Sequence, residues 1–176
     1  MPAIQLSIYL CTVISSMGNY KGASKTRQSI EKYCAYQDRC QFEVEQKLKA
    51  LGCNAEEVEN ELIHLISEGF INEERFAKSF AGGHFRTKAW GRTLIRKHLQ
   101  AKRVSEVNIQ TALQTEIPMD DYFETLQRLI DKKINAESFH IKNLSDRAKL
   151  FNYLYRKGYE SDLIQAELEN YTDKNL

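Results

Sequence analysis

The sequence predicts an all-α protein, an elongated curved array of three tandem three-helix repeats. Three observations carry that expectation. The only prolines are Pro2 and Pro118, so nearly all of the chain is free of the strongest helix breaker. Apolar residues such as Leu62, Leu65, Ile66 and Phe70 recur at spacings of three and four, which places them on one face of a 3.6-residue period. A pattern of five apolar positions then returns three times without a gap. Val44, Leu48, Cys53, Val58 and Leu62 reappear as Ile95, Leu99, Val104, Ile109 and Leu113, and again as Leu150, Leu154, Tyr159, Ile164 and Leu168.

Each copy of the pattern spans two helices joined by a turn of fixed length: KALG ending at Gly52, QAKR ending at Arg103 and YRKG ending at Gly158. The anchors Leu48, Leu99 and Leu154 lie 51 and 55 residues apart. One such unit cannot bury its apolar face alone, so neighbouring units must stack. A further helix precedes each pair, roughly over Thr26–Gln37, Asn72–His84 and Met119–Asn135. The repeats are then residues 26–71, 72–117 and 118–171.

Taken in order, residues 1–25 read as a poorly ordered extension. The apolar stretch Ala3–Met17 has no basic flank and is too short and too polar to span a bilayer, and Met17 is an alternative start. Asn54 followed by Glu57 is an N-cap with its capping box, and Gly69 marks the stop of the same helix. Asn72 caps the next helix, which is expected to give way to a Gly82–Gly83 loop. Gly52 and Gly158 sit where helices should end. Arg103 occupies the same position in the middle copy, so its turn is either compatible with right-handed backbone or strained.

With 42% hydrophobic and 28% charged residues and a formal net charge of +1, the chain shows no global attraction to nucleic acid or membrane. The charge is nevertheless segregated. Nine acidic side chains lie between Glu43 and Glu74 against Lys47 and Lys49. From Arg75 to Ser105 there are nine basic residues and no acidic one. Arg92 and Arg96 share a helix face, Lys88 lies near it one turn earlier, and Lys102 with Arg103 extends the basic surface around the helix end. His84, Phe85 and Trp90 lie among these charges, where aromatic rings either stack bases or anchor the helices to one another, packing being the preferred role. The candidate contact surface is therefore Arg86, Lys88, Arg92, Arg96, Lys97, Lys102 and Arg103.

Nothing in the chain has the residue constellation of an enzyme. No phosphate-binding glycine loop, dinucleotide fingerprint, H-E-x-x-H or G-x-S-x-G occurs. His64 lies on an apolar helical stretch at the edge of a core. The paired acids Glu73–Glu74 and Asp120–Asp121 fall near helix starts, where they suit the macrodipole. Cys11, Cys34, Cys40 and Cys53 lack metal-ligand or C-x-x-C spacing and read as reduced thiols. No catalytic residue, metal or cofactor is expected.

Three stretches together resemble the RecX regulatory family: RCQFEVEQKLKALG from Arg39, EGFINEERFA from Glu68 and WGRTLIRKHLQAKRV from Trp90. The resemblance covers about residues 26–171 and is strongest between Tyr33 and Leu113. It implies a cytoplasmic regulator that lies in the groove of the RecA–DNA filament and restrains its growth, ATP turnover and strand exchange, with accompanying contact to DNA. A monomer without membrane association is expected. The residues themselves leave two other readings open, a stand-alone nucleic-acid-binding protein and a helical scaffold for another protein.

Overall fold

The computed structural model describes residues 23–140 and 143–174, and among them there are nine helices and no strand. They are α1 (Ala23–Tyr36), α2 (Gln41–Ala50), α3 (Ala55–Ser67), α4 (Glu73–Lys88), α5 (Arg92–Ala101), α6 (Glu106–Glu116), α7 (Met119–Glu137), α8 (Leu144–Lys157) and α9 (Ser161–Lys174). The expected N-terminal extension lies outside the described residues, except that Ala23–Lys25 already belong to α1. The chain is an all-α array of tandem three-helix repeats. No helix among the described residues is long and apolar enough to cross a membrane.

The helices form two compact units. The first combines the described residues up to Gln37 with Val44–Phe70, and the second combines Asp38–Glu43 with the described residues from Ile71 onward. In the first unit, Ile30 and Cys34 of α1 are buried, as are Val44 and Leu48 of α2 and Val58, Leu62 and Leu65 of α3. Glu61, also buried, is held by a two-pronged pair from Arg27, Nε at 3.0 Å and Nη2 at 2.8 Å. That fork satisfies both carboxylate oxygens, which makes burial of the charge tolerable. The Asn54–Glu57 capping box forms in full, with the Glu57 N–H donating to Asn54 at 3.0 Å and the Asn54 N–H to Glu57 at 2.8 Å. His64 is half-buried, its Nε2 2.9 Å from Glu31.

In the second unit one apolar core runs from Phe76, Ala77, Ala81 and Phe85 of α4 to Ile164 and Leu168 of α9. Of the fifteen aligned apolar positions in the whole chain, only Cys53 is not buried. Each fully buried aliphatic side chain contributes roughly 1.5–3 kcal/mol, so these positions dominate the packing energy of every repeat.

Two local expectations need correction. Gly82 and Gly83 lie inside α4 and not in a loop. A glycine inside a helix costs about 1 kcal/mol, and burial of Ala81, Gly82 and Phe85 on the core face outweighs it. The helix ends instead at Ala89, in the left-handed region with φ 50°. Lys88 is therefore the last residue of α4 and does not share a helix with Arg92.

The helix-ending turns decide how the second unit is assembled. Gly52 and Gly158 adopt φ of 89° and 91°, and Arg103 at the matching position adopts φ 60°. The middle turn is thus left-handed despite its side chain, a conformation that costs an L-residue about 1–2 kcal/mol. Gly91, the N-cap of α5, supplies no side-chain hydrogen bond. The first amides of that helix are instead satisfied by the third repeat: the Gly91 N–H donates to the Lys157 carbonyl at 2.8 Å and the Thr93 N–H to the Gly158 carbonyl at 3.1 Å. A Cβ on Gly91 would lie 2.1 Å from the Gly158 oxygen, and a Cβ on Gly158 would lie 2.3 Å from the Leu94 Cβ.

These contacts set an ordered pair of stabilities. A Cβ on Gly52 meets nothing within 4 Å, so Gly52→Ala should lower stability by about 1 kcal/mol from backbone strain alone. Gly158→Ala adds a clash with α5 and should cost about 3 kcal/mol or more. Urea unfolding followed by circular dichroism tests this, and equal midpoints for the two variants would contradict the close approach.

Candidate partner-binding surface

The seven basic residues expected at the contact surface fall into two kinds. Arg92 opens α5, a position where a cation opposes the helix dipole. Its guanidinium turns away from that end: Nη2 donates to the Ile117 carbonyl at 2.6 Å, Nη1 lies 2.9 Å from the Met119 sulfur, and the group sits 4.7 Å over the Tyr122 ring. Ile117 is the C-cap of α6, where a cation is favoured. The Arg92 N–H donates to the Tyr122 hydroxyl at 3.1 Å, and that hydroxyl donates to Glu160 at 2.7 Å. Arg92 therefore ties α5 and α6 to α7.

Arg96 pairs with Glu106 and donates to Gln110 at 2.9 Å. Lys102 donates to Glu43 at 2.6 Å and lies 6.0 Å over Phe76. Arg103 covers the Phe42 ring at 4.7 Å. Arg86 reaches Glu116 at 3.3 Å with 61% of its side chain exposed. Lys88 and Lys97 are exposed, and the Lys88 ammonium lies 4.9 Å from the Trp90 ring centre. Acid-free in sequence, the run is compensated in space by Glu43, Glu106 and Glu116. No sequence signal links Lys102 to Glu43, which is 59 positions away.

The aromatic residues pack as a group. Phe80 stacks on His84 at 4.0 Å, His84 meets Trp90 at 4.5 Å, and Trp90 stacks on His98 at 4.7 Å. Phe85 is buried and contacts Tyr122, with ring centres 6.0 Å apart. Burial pushes the pKa of His84 down, and Lys88, His98 and Lys102 push it the same way against the raising effect of the hydrogen bond it donates to the Phe80 carbonyl. A carbonyl only accepts, so at 2.9 Å from that oxygen Nδ1 carries the proton of the neutral ring. The i, i+4 spacing of Phe80 and His84 was the available clue to this quartet.

Comparison with known proteins gives a consistent result. A model of the RecX second three-helix domain matches residues 72–113, and one of the RecX third three-helix domain matches residues 120–168. The regulatory protein RecX of Bacillus mycoides (strain KBAB4) is 31% identical over 142 residues, covering 81% of this chain and 52% of that protein. The regulatory protein RecX of Bacillus cytotoxicus is 31% identical over 137 residues, 78% of this chain and 50% of that protein. The chain thus spans about half the length of the curated relatives it matches. A crystal structure of RecX from Lactobacillus salivarius superposes with a TM-score of 0.74 at 24% identity, covering 86% of this chain and 96% of that one. A second RecX crystal structure gives 0.73 at 24% identity, covering 86% of this chain and 74% of that one.

The Tyr122 hub has a measurable pH signature. Burial raises the pKa of Tyr122, assisted by Glu160, and burial likewise raises that of Tyr159, stacked on it at 4.9 Å. A folded-state pKa above the unfolded value of 10.0 means a contribution fully present below that pH and lost as pH rises beyond it. Stability should therefore fall from pH about 10 upward, and less steeply in Tyr122→Phe, which should also lose roughly 1–3 kcal/mol at neutral pH. Denaturant unfolding across that range is the measurement. A wild-type stability that stays flat well above pH 10 would contradict this account of the buried hydroxyls.

Proposed function

The chain belongs to the RecX family of regulatory proteins, and on that footing we propose that it binds the RecA–DNA filament and inhibits filament growth, ATP turnover and strand exchange. The observation that carries this reading is the match of the middle and third helix triplets to two successive RecX domain models. The function is that of a cytoplasmic, non-enzymatic modulator of DNA repair and recombination, acting as a monomer and needing no cofactor. The repeats that carry it are residues 26–71, 72–117 and 118–171.

The surface of the middle repeat supports a division of labour within the basic patch. Arg86, Lys88 and Lys97 make the direct contact with acidic protein surface or DNA phosphate. Arg92, Arg96, Lys102 and Arg103 hold the helices that present them and reach the partner at their exposed edges. An exposed ion pair such as Arg86–Glu116 is worth only about 0–1 kcal/mol, so Arg86 can exchange its internal carboxylate for one on a partner at little cost. Opposed potentials on two proteins also steer their encounter.

The test is RecA ATPase and strand exchange on single-stranded DNA with added protein. Inhibition is expected at substoichiometric to stoichiometric ratios. The triple variant Arg86→Glu, Lys88→Glu, Lys97→Glu should weaken it at least about tenfold, as reversal of several contact charges does, without a change in thermal unfolding. No inhibition by the unaltered chain at a one-to-one ratio would sink the reading.

A further inference from the structure

We propose that the third repeat carries a binding track for a single nucleic-acid strand, separate from the basic patch of the middle repeat and joined to it at one end. The proposal deepens the reading above by naming where a strand of the filament lies, and rests on it only in that respect.

The track begins in a groove of about 460 Å³ beside α7 and α8. Its cations are Lys133, Lys149, Arg156 and Lys157, and Glu137 is the only acidic residue in its lining. Two half-buried rings, Phe139 and Tyr153, complete its walls. Cations and ring faces alternate along it. Lys149 lies 5.6 Å from the Phe139 ring centre, while Lys133 and Lys157 lie 5.0 and 6.0 Å from that of Tyr153. The Lys157 ammonium then donates to the Lys88 carbonyl at 3.0 Å, and Lys88 covers Trp90. The Phe139–Lys149 pair and the Lys133–Tyr153–Lys157 group line the same groove, and the Lys157 contact joins that groove to Lys88 and the aromatic quartet of the middle repeat.

The alternation selects the ligand. An acidic peptide would use the ammonium groups but leave the ring faces idle. A single strand offers both chemistries in alternation, phosphates for the cations and base faces for the rings. The lysines are already poised over the rings. A base stacking on Tyr153 displaces Lys133 from the ring face outward, toward the phosphate of the same nucleotide. The carboxylates in attendance do not hold these cations firmly: Lys149 reaches Asp146 at 3.2 Å with 60% of its side chain exposed, and the Lys133–Glu137 pair is a one-turn surface contact.

The two terminal rings are aimed by the backbone. Trp90 follows Ala89 and Phe139 follows Ser138, and both preceding residues are non-glycine helix ends in the left-handed region, at φ 50° and 52°. No equivalent arrangement was apparent in the sequence, because Lys133 lies on α7 while Lys149 and Lys157 lie on α8, all among compensating acids.

The experiment titrates the full chain into a labelled oligothymidylate without RecA, following anisotropy across a salt series, with Trp90, the only tryptophan, as a second signal. Engagement of about four phosphates should give a log–log salt slope near −2.8. Lys149→Gln with Arg156→Gln should reduce that slope by about 1.4. Tyr153→Ala should weaken binding about tenfold at unchanged slope, and Tyr153→Phe, which keeps the ring, should bind as the unaltered chain does. Thermal unfolding by circular dichroism accompanies each variant, and the Tyr153→Phe and Lys149→Gln/Arg156→Gln arms carry the test if Tyr153→Ala fails to fold. Three outcomes overturn the proposal: no strand binding, equal binding and slope in all variants, or displacement of the strand by polyglutamate at equal charge, which would mark an acidic-peptide site. RecA inhibition that persists without strand binding would leave the filament reading standing and remove this one alone.

Discussion

The N-terminus of α5 is capped by a different repeat, and much of the second unit follows from that constraint. A helix start exposes amide donors that must find acceptors. Gly91 brings no side chain to the task, so the carbonyls of Lys157 and Gly158 and the hydroxyl of Tyr122 serve instead. Those acceptors come close enough only because both Gly91 and Gly158 lack a Cβ. The third repeat is therefore held to the second by backbone geometry, which leaves little freedom in its position. At the matching place before α2 the solution is different. There the Cys40 N–H donates to Glu43 of its own helix at 3.4 Å, and Arg103 and Lys102 cover Phe42 and Glu43 with side chains. Arg103 itself holds the left-handed turn at φ 60°, with its guanidinium over Phe42.

The same bookkeeping of helix ends explains where several cations go. Arg92 would be unfavourable at the start of α5 if its charge stayed there. Reaching the Ile117 carbonyl moves that charge to the end of α6, where unpaired carbonyls and the dipole attract it. Lys157 does the same at the end of α4 through the Lys88 carbonyl. Basic residues that look like one continuous surface in the sequence thus include some whose first role is to close a helix.

This is also why the fold was more legible than the site. The five-position apolar pattern reports burial directly, since a helix pair with a turn of constant length must repeat its core face. Its one half-buried member, Cys53, is the small residue of the set. Caps at Asn54 and Asn72 were legible for the same reason, being local interactions over three residues. The Gly82–Gly83 pair misled because a local breaker signal was weaker than the burial of its neighbours on the core face. The acid-free run shows a different limit of what spacing along the chain records. Several of its compensating acids, Glu43, Glu106 and Glu116, come from other helices, and such pairing leaves no trace in spacing along the chain.

A distinction between scaffolding and contacting cations has a consequence for where a strand would run. A cation already closing a helix has little freedom to follow a phosphate, whereas an ammonium resting on a half-buried ring face has more. Lys88, Lys133 and Lys149 are the cations of the proposed track that close no helix, and each stands over an aromatic face. Left-handed backbone at Ala89 and Ser138 is a recurring cost, and in both cases the next residue is the ring beneath one of those lysines. A glycine would end these helices without that cost, as Gly158 does for α8. Aiming Trp90 and Phe139 at opposite ends of the proposed track would offset it, and would place the proposed nucleic-acid contact across the second and third repeats together.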